Sequence, residues 1–257
     1  MDYSLNNNKQ RDFINFPLWE SIKKVFSPAQ TTNVPVGEQL KTDIHAHWLP
    51  GVDDGARTVE EGLEIVEALM QMGYKKLIAT PHIKQVYYEN EPDQLFSVFR
   101  DFEAAVAGKG WDIELSLAAE YMLDEGFQRH LEEGLLTLSG NLVLIEMSFF
   151  QVYQGLDKLL FDIQLKGYQP VLAHPERYQY YFKKWEQFEV LKDRGCLFQL
   201  NIPSLTGYYG KEVASVAQRI LAQGWYEFAG TDLHHPNQLK SIQGFKGFGM
   251  FQNAGLQ

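Results

Sequence analysis

The chain has 257 residues, enough for one large domain or two small ones with a sizeable core. It carries 33 acidic and 23 basic side chains, a net charge of −10 that argues against broad nucleic-acid binding, which leaves a basic footprint. The single cysteine, Cys196, excludes an intramolecular disulfide framework and makes a reducing cytoplasm the simplest location. Residues 1–40 read as an appended arm: polar or Pro-broken stretches flank Phe16 to Phe26, whose spacing suits one short amphipathic helix packed outside the main domain. The N-terminus lacks the basic-then-apolar order of a secretory signal. The most apolar short run, Leu142 to Phe150, is too short to cross a membrane and holds Glu146 at its middle.

From residue 41 to 257 the chain reads as one domain. Short apolar runs at Thr42–His45, Lys76–Thr80, Ile113–Ala118, Leu142–Glu146, Gln169–Ala173, Leu197–Leu200 and Tyr226–Ala229 predict seven strands. Between them, helical spacing predicts Val59–Met72, with a stripe of Val59, Leu63, Val66 and Met70, and then Asp93–Ala107, Leu156–Lys166, Trp185–Arg194 and Lys211–Ala222. Glycine follows each, as helix ends favour. This alternation points to an α/β barrel or an open doubly wound sheet. The Gly- and Phe-rich tail after Pro236 reads as a covering segment.

The chemistry sits where the predicted strands end. Asp43-Ile-His45-Ala-His47 places two imidazoles two residues apart, on one side of an extended segment. They either share a cation or are unrelated surface histidines. His82 follows the second strand, Glu120 the third, Glu146 ends the fourth, His174 follows the fifth, and Asp232 and His234 follow the seventh. In parallel α/β folds these ends gather on one face, where active sites are built. A mixed nitrogen and oxygen donor set suits zinc, manganese or iron. Gly51-Val-Asp53-Asp54-Gly55 adds a carboxylate at the same mouth; Asp54 is taken as the ligand and Asp53 as a supporting group, the other reading being a turn and helix cap.

His45-x-His47, the Asp-Asp-Gly turn, Thr80-Pro-His82, Ala119-Glu120-Tyr121, Ile145-Glu146, His174-Pro-Glu-Arg177-Tyr178 and Asp232-x-His234 stand together in this order. The chain thereby resembles the polymerase and histidinol phosphatase (PHP) superfamily. Within it, Gln199-Leu-Asn201-Ile-Pro-Ser204-Leu-Thr-Gly207 and the His174–Tyr178 segment resemble the bacterial protein-tyrosine phosphatase branch found with capsule and exopolysaccharide genes. The resemblance covers roughly residues 42–236.

It implies a distorted seven-stranded (β/α)7 TIM-like barrel holding three divalent metal ions, with manganese first in line and iron, zinc or magnesium as the others. By the same resemblance His45, His47, Glu120 and Asp232 serve one metal. Glu120 or Glu146 bridges to a second that His174 also binds, and His82, Asp54 and His234 hold the third. It implies hydrolysis of phosphotyrosine in proteins, in particular the tail of a membrane-associated bacterial tyrosine kinase controlling polysaccharide synthesis. A small-molecule phosphatase of the histidinol-phosphate type and an inactive regulatory protein are the rival readings, and a homo-oligomer stays open.

The six positive charges of three divalent ions exceed the four carboxylates Asp54, Glu120, Glu146 and Asp232 by about two, which matches a phosphomonoester dianion despite the acidic chain. A metal-activated water then attacks phosphorus in line with the leaving oxygen. A phenolate, with a pKa near 10, leaves with less need of a general acid than an alkoxide. Arg177 offers a planar guanidinium to a phosphate oxygen, unless it forms a surface salt bridge. Some members of the branch have an arginine soon after Asp-x-His; here none follows Arg219, and Lys240 is the candidate substitute as a point charge. Cys196 lacks the Cys-x5-Arg loop of a cysteine phosphatase and reads as core. His130 reads as a helix or loop polar residue. The pairs Tyr87-Tyr88, Tyr180-Tyr181 and Tyr208-Tyr209, with Tyr178, either wall a groove for an extended phosphopeptide or pack loops together.

Overall fold

A computed structural model describes Gly37 and residues 40–243. The expected helix at Phe16 to Phe26, the rest of the arm and the tail beyond residue 243 lie outside the described residues.

Nine parallel strands form two sheets: β1 (Thr42–Ala46), β2 (Lys76–Ala79), β3 (His82–Ile83), β4 (Glu114–Leu117), β5 (Glu120–Met122), β6 (Leu142–Glu146), β7 (Gln169–Ala173), β8 (Leu197–Asn201) and β9 (Tyr226–Gly230). One sheet has the order β1-β2-β4 and the other β3-β5-β6-β7-β8-β9. Two of the seven expected strands thus continue past a short break. Pro81 has no N–H to give, so β2 pauses there and resumes as β3; β4 resumes as β5 after Ala118 and Ala119. Hydrogen bonds carry across the breaks, from Thr80 N–H to Ala46 carbonyl (3.0 Å), Ala118 to Ala79 (2.8 Å) and Glu120 to Pro81 (3.1 Å). Beyond β9, Asp232 N–H donates to His45 carbonyl (2.7 Å) and His47 N–H to Leu233 carbonyl (2.8 Å), linking the end of the second sheet to the first strand of the other.

The helices among the described residues are α1 (Val59–Gln71), α2 (Pro92–Gly108), α3 (Phe127–Glu133), α4 (Leu156–Leu165), α5 (Glu186–Asp193), α6 (Ile202–Leu205), α7 (Lys211–Ala222) and α8 (Leu239–Gln243). Thr58 caps α1 by accepting from Glu61 N–H, worth about 1 kcal/mol. The larger contribution is its buried face of Ile65, Val66 and Leu69, at roughly 1.5–3 kcal/mol each. That face is rotated from the expected stripe: Val59 is exposed, and Leu63 and Met70 only border the core. The cause is Gly62, where an added Cβ would stand 2.4 Å from Trp48 carbonyl and 2.7 Å from Phe102, so the helix turns this point inward. α2 runs through Gly108, and the left-handed residue expected there falls on Gly110 (φ 67°). α3 is an element the periodicity does not announce; its seven residues bury Phe127, His130 and Leu131. The segment after Pro236 covers α6, with Leu239 and Ile242 of α8 buried.

Two apolar clusters result. The larger lies between strands and helices and includes Cys196, whose thiol burial pushes up to about 12, an inert core position. The smaller joins Ile44 and Ile78 of one sheet to Leu144 and Val171 of the other. Glu176, wholly buried behind the strand ends, accepts from Asn201 N–H (3.0 Å) and Tyr226 hydroxyl (2.9 Å). Burial raises its carboxyl to about 7. The folded state therefore holds this proton where the unfolded chain has released it, and stability falls as pH rises from about 4.5 to 7. Glu176→Gln is expected to flatten that fall, gaining about 1–3 kcal/mol over wild type at pH 7.5 and nothing at pH 4 in urea unfolding of chelated protein. An unchanged pH slope would contradict this.

Candidate metal centre

The C-terminal strand ends deliver the donors. β1 supplies His45 and, one residue past its end, His47; β3 and β5 open on His82 and Glu120; β6 closes on Glu146; His174 follows β7; and Asp232 and His234 follow β9. Asp54 comes from the loop before α1. These residues form three overlapping donor groups: His45, His47, Glu120 and Asp232; His47, Asp54, His82 and His234; and His82, Glu120 and Glu146. Every sequence-predicted metal residue lies in or against this cluster.

Several imidazoles have their tautomer set from outside. His45 Nδ1 is 2.9 Å from Gln199 Oε1, His47 Nδ1 is 2.7 Å from Asp53 Oδ2, and His234 Nδ1 is 3.0 Å from Asp232 carbonyl. In each, Nδ1–H donates and the Nε2 lone pair is turned inward. His45 Nε2 then lies 3.2 Å from His47 Nε2, 3.1 Å from Glu120 Oε2 and 3.3 Å from Asp232 Oδ1. His82 Nε2 and His234 Nε2 approach Asp54 Oδ1 at 3.4 and 3.5 Å. His174 Nε2 is 3.2 Å from Glu120 Oε1 and 3.5 Å from Glu146 Oε1, while its buried Nδ1 has no hydrogen-bond partner. Lone pairs facing lone pairs at these spacings lack the protons to satisfy one another. Donors bound about 2.1 Å from a common divalent ion stand about 3.0–3.4 Å apart, so the set fits a cation.

The electrostatics agree. Burial opposes charge on Glu120, yet His45, His82 and His174 hold its carboxyl well below the usual range. Burial and the neighbouring Glu120 push Glu146 well above it. Burial draws His82 and His174 down to about 4. His45 and His47 are raised against burial, by Glu120 and Asp232 for the first and chiefly by Asp53 for the second. A proton on either Nε2 and a cation there are alternatives.

Comparison with known proteins gives the fold and cluster a context. The family described as capsular polysaccharide synthesis, CpsB/CapC, matches residues 41–241. The chain belongs to this family. It is 30% identical over 195 residues to the tyrosine-protein phosphatase YwqE of Bacillus subtilis, covering 75% of this chain and 77% of that one. Identity is 25% over 201 residues to the tyrosine-protein phosphatase CpsB of Streptococcus pneumoniae, covering 75% and 82%. For the putative tyrosine-protein phosphatase CapC of Staphylococcus aureus it is 24% over 208 residues, covering 78% and 81%. A solved structure from work on YwqE and CpsB, described as metal-dependent tyrosine phosphatases, superposes with a TM-score of 0.71 at 25% identity, over 84% of this chain and 95% of that one.

Around the donors of this CpsB/CapC chain lies a shell that the sequence reading only partly anticipated. Asp53 is the hub on one side: beyond His47 it accepts from Gly55 N–H (2.9 Å) and His82 N–H (3.0 Å), while Asp54 stays half-exposed. Gly55 leaves room for His47, since an added Cβ would lie 2.5 Å from the His47 Cβ. Gly230 does the same for His45, at 2.6 Å. Asp43 accepts from Thr231 N–H (3.0 Å) and its hydroxyl, pinning β1 to the end of β9; burial raises its carboxyl to about 6. His174 and Asp232 take positive φ, 35° and 50°, which points both side chains into the cluster at a backbone cost of order 1–3 kcal/mol each.

Arg177 is no surface ion pair. Its guanidinium donates to Asp232 Oδ2 (2.7 Å), which also accepts from Asn201 Nδ2 (2.8 Å), and it lies between the rings of Phe149 (4.6 Å) and Tyr209 (4.2 Å). Lys240 is exposed on α8, and no hydrogen bond or ion pair among the described residues joins it to the cluster. His235 is exposed; Gln238 Oε1 accepts from the N–H groups of both His234 and His235, fixing the segment that carries His234. A separate group, Glu91, His130 and Glu133, is already engaged by Arg129, which reaches Glu91 at 2.6 Å and Glu133 at 2.9 Å. Of the loop tyrosines, Tyr178 and Tyr181 are buried and pack loops; Tyr87 is exposed, and Tyr208 is half-exposed against Tyr209.

Proposed function

We propose that this chain is a metal-dependent protein-tyrosine phosphatase. The observation that carries the reading is the convergence of inward-facing lone pairs at six strand ends, in a chain whose relatives bear that name. The donor groups support three divalent ions, manganese first. His45, His47, Glu120 and Asp232 would hold one, and Asp54, His82 and His234 another. Glu146 and His174 would complete the third, with Glu120 as the bridge because its two oxygens face different histidines. Bound there, such ions supply Lewis acidity and lower the pKa of water to near neutrality.

The chain's own groups do the rest. Arg177 presents its remaining N–H groups to a phosphate oxygen while Asp232 and Tyr209 fix its plane. Gln199 and Asp53 hold the imidazoles in the donor tautomer, so no reorganisation is needed as charge develops. Lys240, within the covering segment, would act only as a distant positive charge steering the dianion. The hydrogen bonds across the strand breaks and from β9 back to β1 support reading the two sheets as one distorted seven-position barrel within one unit that begins at residue 41. Membership in a capsular polysaccharide synthesis family supports a cytoplasmic tyrosine kinase tail as the substrate. No described helix is long and apolar enough to cross a membrane.

The test is a substrate panel with added manganese, magnesium, zinc or iron. A phosphotyrosine peptide should be hydrolysed with kcat/KM at least about 100-fold above that for histidinol phosphate. The reverse preference would move the chain to the small-molecule phosphatases.

A further inference from the structure

The donor row His82, Glu120, His174 carries an aromatic ring on each end. His82 Nδ1 and His174 Nε2 each lie 3.2 Å from Glu120. Tyr88 stacks on His82 with ring centroids 5.7 Å apart, and Phe149 stacks on His174 at 5.6 Å. The two ends differ in one respect. Only Phe149 also lies against Arg177, 4.6 Å from the guanidinium. Phe149 is 37% exposed, so a phenyl ring packed on His174 and the guanidinium stands partly open at the rim of a strongly charged site. Apolar surface in that setting serves to bind something apolar.

A phosphate gripped by Arg177 and the donor cluster has its ester oxygen facing outward. The group on that oxygen begins beside the guanidinium, within reach of a ring packed 4.6 Å from it. We propose that Phe149 is the specificity-determining wall for the leaving group, its exposed part packing against the phenyl ring of an aryl phosphate. This deepens the phosphatase reading and rests on it. Aromatic pairs prefer offset or edge contacts and add selectivity beyond their area, whereas an alkyl ester gains little there. Tyr88, at the end without a guanidinium, orients His82 and takes no part in this contact.

The test compares wild type, Phe149→Leu and Phe149→Trp as the manganese-loaded full chain. Substrates are p-nitrophenyl phosphate, a phosphotyrosine peptide and glycerol 2-phosphate, with inorganic phosphate as inhibitor. Phe149→Leu should lower kcat/KM for both aryl esters about three- to tenfold, mainly through KM. Its ratio to wild type for glycerol 2-phosphate, the phosphate inhibition constant and the metal content should stay within about twofold. Phe149→Trp should retain the aryl preference. If aryl and alkyl esters lose equally, or phosphate inhibition and metal content fall with them, Phe149 only positions Arg177 or His174 and the proposal is overturned. Unchanged aryl kinetics in Phe149→Leu also overturn it. Wild-type protein that hydrolyses no phosphomonoester defeats the phosphatase reading itself, and this inference with it.

Discussion

Glu120→Gln is expected to lower phosphotyrosine hydrolysis by roughly 1,000-fold or more, the largest loss of any single isosteric change in this chain. Glu120 is wholly buried, and its two oxygens reach His45, His47, His82 and His174 within 3.1–3.4 Å. An amide keeps the shape but removes the charge that opposes the metals, and places an N–H₂ where one donor oxygen stood. Metal content measured by mass spectrometry should drop by at least one ion per chain in the same variant. A Glu120→Gln protein with full metal content and wild-type kcat would show that Glu120 is not a bridge.

Stripping the metals is expected to lower the melting temperature by about 5–20 °C. An ion present at 100 times its dissociation constant stabilises the fold by about 2.7 kcal/mol, and each kcal/mol is worth about 2–4 °C in a domain of this size. The cause lies in the donor set: without a cation, the buried carboxylate of Glu120 is balanced only by its neighbouring imidazoles, and Asp232 by imidazoles and the Arg177 guanidinium. The His45 and His47 imidazoles bind protons more readily than usual, so lowering the pH favours imidazolium over metal. The melting difference between loaded and chelated protein should therefore shrink as pH falls from 8 to 5. A chelated chain melting with the loaded one at pH 8 would contradict a structural coupling between centre and fold.

The donors other than Asp54 were legible because each sits at the end of an apolar run, where strand periodicity and parallel topology fix the side chain's address. His45 and His47, two residues apart, face one cluster for that reason. What holds the donors was legible only in part, Asp53 being expected as a supporting group and Gln199 not. Gln199 and Asp53 set tautomers through contacts that only the folded chain makes, across 154 and 6 residues. The left-handed backbone at His174 and Asp232 leaves no mark in composition. Strand continuity across Pro81 and Ala119 depends on hydrogen bonds to neighbouring strands, so seven runs in sequence became nine strands in space. The face of α1 was misplaced because Gly62 counts for little in periodicity, yet it marks the closest approach to Trp48 and Phe102. Phe149 carries no signal in sequence spacing, and burial assigns Tyr178 and Tyr181 to loop packing rather than to a groove.

The central claim is that the donor cluster hydrolyses phosphotyrosine only with divalent ions in place. The most direct measurement titrates manganese into fully chelated protein while following release of phosphate from a phosphotyrosine peptide. Activity should begin at background and rise to a plateau at two to three equivalents per chain, matching the donor groups. Undiminished hydrolysis by the metal-free chain would contradict the account at its root.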